Sequence, residues 1–294
     1  MKLLFSAPTW GLLAGAALWG VVWYPYRLLA QAGLDGVWST IFTFGLALIA
    51  GITVFPRAAA SIRPTPLVIL MGVAIGWSNL AFVLGVLEGE VMRVLLLFYL
   101  APLWTVPIAR VLLGERLGAA GLAIMALAFA GAITMLWKPE IGVPWPSSRA
   151  EWLGLLAGFL FALGNVLVRR LEHMGDAAKS IVIWAGVTLA GLVHLSASKV
   201  SAGMAWDAAI ANAGMLLGIS ASIVAMGIAL QYGLSRTPAN RAIVILLFEL
   251  VVAAVAAYLL AGETLRAQDW AGGALIVAAS LASGWAERRA RTQI

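Results

Sequence analysis

From residue 8 to residue 286 the chain is a succession of long apolar runs, each closed by charge, proline or glycine. A run of roughly 20 apolar residues is what an α-helix needs to cross a bilayer. The pattern predicts ten such helices, over 8–29, 36–55, 66–87, 94–113, 118–137, 150–170, 180–198, 208–233, 240–261 and 267–286. The connections are short. The longest, Lys138 to Ser148, holds Pro139, Pro144, Trp145 and Pro146 and divides the chain near its middle. Met1-Lys2 before an apolar run could open a signal peptide, but the run is long enough to span and its pattern recurs inside the chain. It is read as a retained first span.

Composition turns this pattern into a class. Of 294 residues, 63% are hydrophobic and 11% charged, against roughly 25% charged in water-soluble domains. The mean hydropathy is +0.98. Most side chains must face something as apolar as themselves, which is lipid. The net charge of +6 does not mark a nucleic-acid binder, because the basic residues are scattered through short loops rather than gathered on one face. Cysteine is absent, and His173 and His194 stand far apart without metal-ligand spacing. No metal or cofactor is expected. No HExxH, paired intramembrane aspartates or Ser-His-Asp candidate appears, so an enzyme is not expected either.

Charge also orients the spans. With the N-terminus inside, Arg27, Arg93, Lys138, Arg149, Lys199 and Arg266 fall outside, and 13 of the 19 basic residues, Lys179 among them, fall inside. The positive-inside rule then places both termini in the cytoplasm of a cell (inner) membrane protein.

The two halves resemble each other. Gly11-Leu12-Leu13-Ala14-Gly15 recurs as Gly154-Leu155-Leu156-Ala157-Gly158, and Arg27-Leu28 as Arg170-Leu171 at the same offset. Gly114-Glu115 with Leu117 recurs as Gly262-Glu263 with Leu265, and Gly72 and Gly76 are mirrored by Gly214 and Gly218. The expected architecture is an all-α integral membrane protein with ten transmembrane helices as a 5+5 inverted repeat. Residues 1–137 form the first five-helix repeat, 138–149 the loop between them, and 150–294 the second. Five is odd, so equivalent helices run in opposite directions. A cavity between such halves can open to either side, the usual basis of alternating access.

The layout, with Leu113-Gly114-Glu115-Arg116-Leu117 and Ala261-Gly262-Glu263-Thr264-Leu265 before Gly/Ala-rich helices, resembles the EamA family of the drug/metabolite transporter superfamily. Pro102 and Glu249 look family-like, whereas Leu250 stands where a second proline would be expected. Trp19 followed by Arg27, and Phe98-Tyr99-Leu100-Ala101-Pro102, look most like the YddG-type aromatic amino-acid exporters within that family. The resemblance implies a small-molecule partner, most simply an aromatic or hydrophobic amino acid. A different metabolite or a xenobiotic is the alternative.

Polar groups deep in apolar spans usually face the bundle interior or a wet cavity. On that ground and on the resemblance, the candidate substrate-binding residues are Trp19, Trp23, Ser78, Asn79, Tyr99, Phe161 and Asn165. Trp19 and Trp23 share a helix face, as do Phe161 and Asn165. Tyr99 lies a turn before Pro102, whose missing N–H loosens the helix. Glu249 is the one carboxyl near mid-span, a coupling group or a neutral structural one. Ser78, Ser220 and Ser222 could equally be interhelical hydrogen-bonding groups, and the GxxxG glycines are read as packing positions. Glu115 and Glu263 are assigned to helix capping or arginine pairing and left out of the site.

Overall fold

The computed structural model describes residues 6–89, 91–137, 145–197, 203–262 and 264–292. Among them every regular element is a helix. In chain order these are α1 (Ala7–Gln31), α2 (Gly36–Val54), α3 (Pro56–Ala60), α4 (Pro66–Glu88), α5 (Val91–Phe98), α6 (Ala101–Leu113) and α7 (Ala119–Leu136). They continue as α8 (Arg149–Arg170), α9 (Asp176–Ala197), α10 (Gly203–Ala211), α11 (Ala213–Arg236), α12 (Ala239–Leu246), α13 (Phe248–Ala261) and α14 (Ala267–Thr292). Eight stretches of the described residues are long and apolar enough to cross a membrane: α2, α4, α5 with α6, α7, α8, α9, α11, and α12 with α13. The helices α1 and α14, at 25 and 26 residues, have the length but fall short of that apolarity.

Local chemistry sets the helix ends. The Asp35 carboxylate accepts from the N–H groups of Val37 and Trp38, and Ser148 accepts from Glu151 N–H, which opens α2 and α8. Gly114 and Gly262 close α6 and α13 with φ of 69° and 67°. That left-handed conformation favours glycine, so the glycine of each Gly-Glu segment is a helix stop. Its neighbour Glu263 lies outside the described residues.

Two helical runs are interrupted midway. The first breaks at Tyr99–Leu100 between α5 and α6, where Leu103 N–H bonds Leu100 rather than Tyr99. The cause is Pro102, which supplies no N–H for the Phe98 carbonyl. The second breaks at Leu247 between α12 and α13, with Leu250 N–H bonded to Leu247. No proline sits there, and nothing in the sequence announced it.

The helices α4 and α8 pack together, as do α1 and α11; α5 and α6 lie on α8, and α12 and α13 on α1. α4 also meets α9, α11 meets α2, and the pairs α2–α9 and α7–α14 complete the bundle. Glycines permit several of these approaches. Gly76 lies against the Gly186 carbonyl and Gly186 against that of Gly72, so a Cβ on either side would overlap backbone. The supposed mirror pair behaves otherwise: a Cβ added at Gly214 or Gly218 would meet no other element within 4 Å. The small-residue contact of α11 lies nearer its C-terminus, where Gly233 meets Pro8 and Leu12, and Gly11 meets Ala229.

Candidate functional site

The two interruptions bring their residues together. Tyr99, at the first break, is 7% exposed, and its phenol lies close enough to the Glu249 carboxyl, two residues past the second break, for the two to interact. Half-buried Phe98 joins them: its ring centroid lies 5.2 Å from that of Tyr99, 5.3 Å from Phe161 on α8 and 5.0 Å from Phe82 on α4. An aromatic wall thus stands beside a tyrosine–carboxyl pair drawn from both halves of the chain. Gly158 rests its backbone against the Phe98 carbonyl, so α8 seals the first break. Gly20 on α1 rests against the Glu249 carbonyl and Val252. That contact sets Trp19, its neighbour, at the level of the pair.

The other predicted residues are dispersed. Trp19 stacks on Phe44 of α2 at 6.2 Å, and Trp23 meets Tyr24 edge-on. The Ser78 hydroxyl donates to the Ala157 carbonyl at 2.8 Å, a bond between α4 and α8 of the interhelical kind. Asn79 turns toward α2 and α9, into a crevice with Val37, Thr40 and Val187 that has no room for a water molecule. Its Oδ1 has no partner there. Asn165 is 8% exposed and lies one turn from Phe161, on the same face of α8. Ser220 and Ser222 bond carbonyls of their own helix, Leu216 and Gly218.

At one end of the bundle, Arg93 makes a two-point ion pair with Glu151 (2.8 and 2.9 Å), and Glu151 also accepts from Ser147 N–H. At the opposite end, Glu115 accepts from Ala239 N–H at 3.2 Å and from Asn240 Nδ2 at 3.4 Å, and lies 3.9 Å from Arg169. It therefore caps α12, a helix of the other half, as the capping reading of Glu115 required. Arg169 also bonds the Ser235 carbonyl. Lys179, placed in a loop by the hydropathy pattern, is instead fully buried in the first turn of α9. Its ammonium is held by Asp176 and the Ser235 hydroxyl, and Asp176 also binds Arg236. Burial is tolerable because the cation is paired. Sequence reading passed over Lys179, Gln231, Ser235 and Asn240. Gln231 could have been found: it is an amide among the apolar residues Ile228, Ala229 and Leu230 toward the end of a spanning helix.

Residues 148–285 match the EamA-like transporter family. One crystal structure of a protein is similar over 97% of this chain and 99% of its own, with a TM-score of 0.73 and 19% identity. At that identity the likeness speaks for the fold alone. No curated protein sequence matches the chain.

Proposed function

From an EamA-like domain in residues 148–285 of a multi-pass helical membrane protein, we propose that the whole chain is a drug/metabolite-type transporter. It has ten spans in two inverted five-helix repeats, and α1 and α14 complete the count. The packing supports this reading. Exchanging α1, α2, α4, α5/α6 and α7 for α8, α9, α11, α12/α13 and α14 turns each main helix contact into another that is present. The breaks at Tyr99 and Leu247 are 148 residues apart, the same offset that relates Glu115 to Glu263.

The observation that carries the function is the meeting of two interrupted helices at Tyr99 and Glu249. Interrupted helices place polar groups at mid-membrane, where carriers bind their solutes. The cargo is an aromatic or hydrophobic amino acid, exported from the cell. Phe82, Phe98 and Phe161 offer the face for its side chain, and Glu249 with Tyr99 offers acceptors for its ammonium. Trp19 and Asn165 border the path, and the Arg169 end is cytoplasmic. Alternating access needs the Arg93–Glu151 contact to part when the Glu151 end opens and the Glu115–Ala239 contact to part when the Arg169 end opens. Proteoliposomes holding only this protein test it: labelled phenylalanine and tryptophan should cross and compete. Absence of both fluxes with flux of another metabolite would overturn the cargo; chemical change of the solute would overturn the transporter.

A further inference from the structure

Between α13 and α14 the bundle leaves an apolar groove of about 410 Å³, lined by Ala254 and Val255 on one side and Gly273, Val277 and Leu281 on the other. It is open to the surroundings of the bundle, with Val255 and Leu281 43% and 44% exposed. Gly273 makes the room: a Cβ there would meet only Val251, at 3.9 Å. Along α14 the lining recurs every fourth residue from Asp269 to Leu281, a length of about 18 Å. One leaflet's half of a ~30 Å hydrocarbon core is about as long. The groove is polar only at its mouth. Asp269 and the 67% exposed Trp270 stand there, and Asp269 Oδ2 accepts from Arg266 N–H at 2.8 Å, which caps α14. The Arg266 guanidinium stays 3.4 Å from either carboxylate oxygen and is 44% exposed. Because α12 starts at the Glu115 lock and runs on into α13, this mouth lies at the Arg93–Glu151 end.

The helix plan alone does not call for this groove. At the offset of 148 that relates Gly114-Glu115 to Gly262-Glu263, the first half has Met125 in place of Gly273 and Phe129 in place of Val277. Gly118, Gly121 and Leu122 take the places of Arg266, Asp269 and Trp270. The second half therefore has space where the first has bulk, and a charged mouth where the first has none. We propose that the groove binds one phospholipid whose head group carries a primary ammonium, in the leaflet at the Arg93–Glu151 end. One acyl chain fills the groove. The Arg266 guanidinium and the Trp270 indole N–H donate to the phosphate, and the Asp269 carboxylate accepts from the ammonium. Charge selects this head group over others. A phosphate without an ammonium would leave Asp269 facing an anion, and a choline has no N–H to give it. The site rests on α13 and α14 as spans, as the ten-span reading has them, and on no particular cargo.

The test offers the full chain, stripped of lipid in detergent, equal amounts of dioleoyl phosphatidylethanolamine, phosphatidylcholine or phosphatidylglycerol. Native mass spectrometry counts the lipid retained, and the unfolding midpoint is read beside it. One ethanolamine lipid should be held in preference to the other two and should raise the midpoint. Asp269→Asn should weaken its binding about tenfold, to the level of the choline lipid, the loss expected for a hydrogen bond between charged groups. Gly273→Met, which installs the first half's residue in the groove, should abolish retention. Its lipid-free midpoint should not fall, because the added Cβ makes an ordinary contact and glycine is the poorer helix former. Equal retention of all three lipids, a preference for the glycerol lipid, or retention unchanged in Gly273→Met overturns the site. A dimer that Gly273→Met dissociates assigns the groove to a second copy and overturns it as well. Selective retention in a protein that moves no solute upholds the site and places the failure with the transporter reading.

Discussion

At the scale of single residues, two kinds of intramembrane polar group can be told apart by where their bonds go. Ser78 is satisfied by Ala157 across a helix interface, so Ser78→Ala should lower stability by about 1 kcal/mol and leave KM for the solute unchanged. Denaturation in detergent beside a flux assay reads both. Glu249 lies beside Tyr99 with no other described residue acting on its carboxyl, so a solute could reach it. Glu249→Gln keeps shape and hydrogen-bonding capacity but removes the ionisable carboxyl, and should cut phenylalanine flux about tenfold or more with the thermal midpoint unchanged. Tyr99→Phe, which leaves the carboxylate in place, should cost less. Equal losses of flux and stability in Glu249→Gln would make the carboxyl a packing group.

At the scale of helices, the glycine contacts decide which substitutions the bundle tolerates. Gly186 lies against the backbone of Gly72, and an added side chain there has no flexible neighbour to displace. Gly186→Val should destabilise by about 1–3 kcal/mol, the usual cost of overpacking. Gly218, though part of a similar GxxxG spacing, borders open space, and Gly218→Val should change the detergent unfolding midpoint little. The reverse ranking would mean that α11 has a helix partner outside this fold. Spacing alone could not separate the two pairs, because a GxxxG pattern says that a close approach is possible and not which helix makes it.

For the molecule as a whole, the two locks lie at opposite ends: Arg93–Glu151 at one, Glu115 with Ala239 and Arg169 at the other. Topology gives those ends their names. Single cysteines in place of Trp145 and Gly175, both exposed and at opposite ends, should divide: Trp145→Cys labelled by an impermeant reagent on intact cells, Gly175→Cys only after permeabilisation. The opposite result would invert the orientation and turn the exporter into an importer in this reading.

What the sequence by itself determined was the membrane class, the order of the long helices and the residues that end them. Each is a local property: apolar length, a capping side chain, a glycine that can adopt positive φ. Pro102 announced the first interruption for the same reason. The second interruption, at Leu247, has no local marker, and only the packed bundle shows it. Tertiary structure also decided the partners. It joined Tyr99 to Glu249 from positions 150 residues apart, turned Asn79 away toward α2 and α9, and buried Lys179 beside Asp176. In lipid, an apolar helix face and a polar one can each point several ways. The orientation is chosen by which neighbour can approach closely and which polar group finds a partner, and that is a property of the assembled helices.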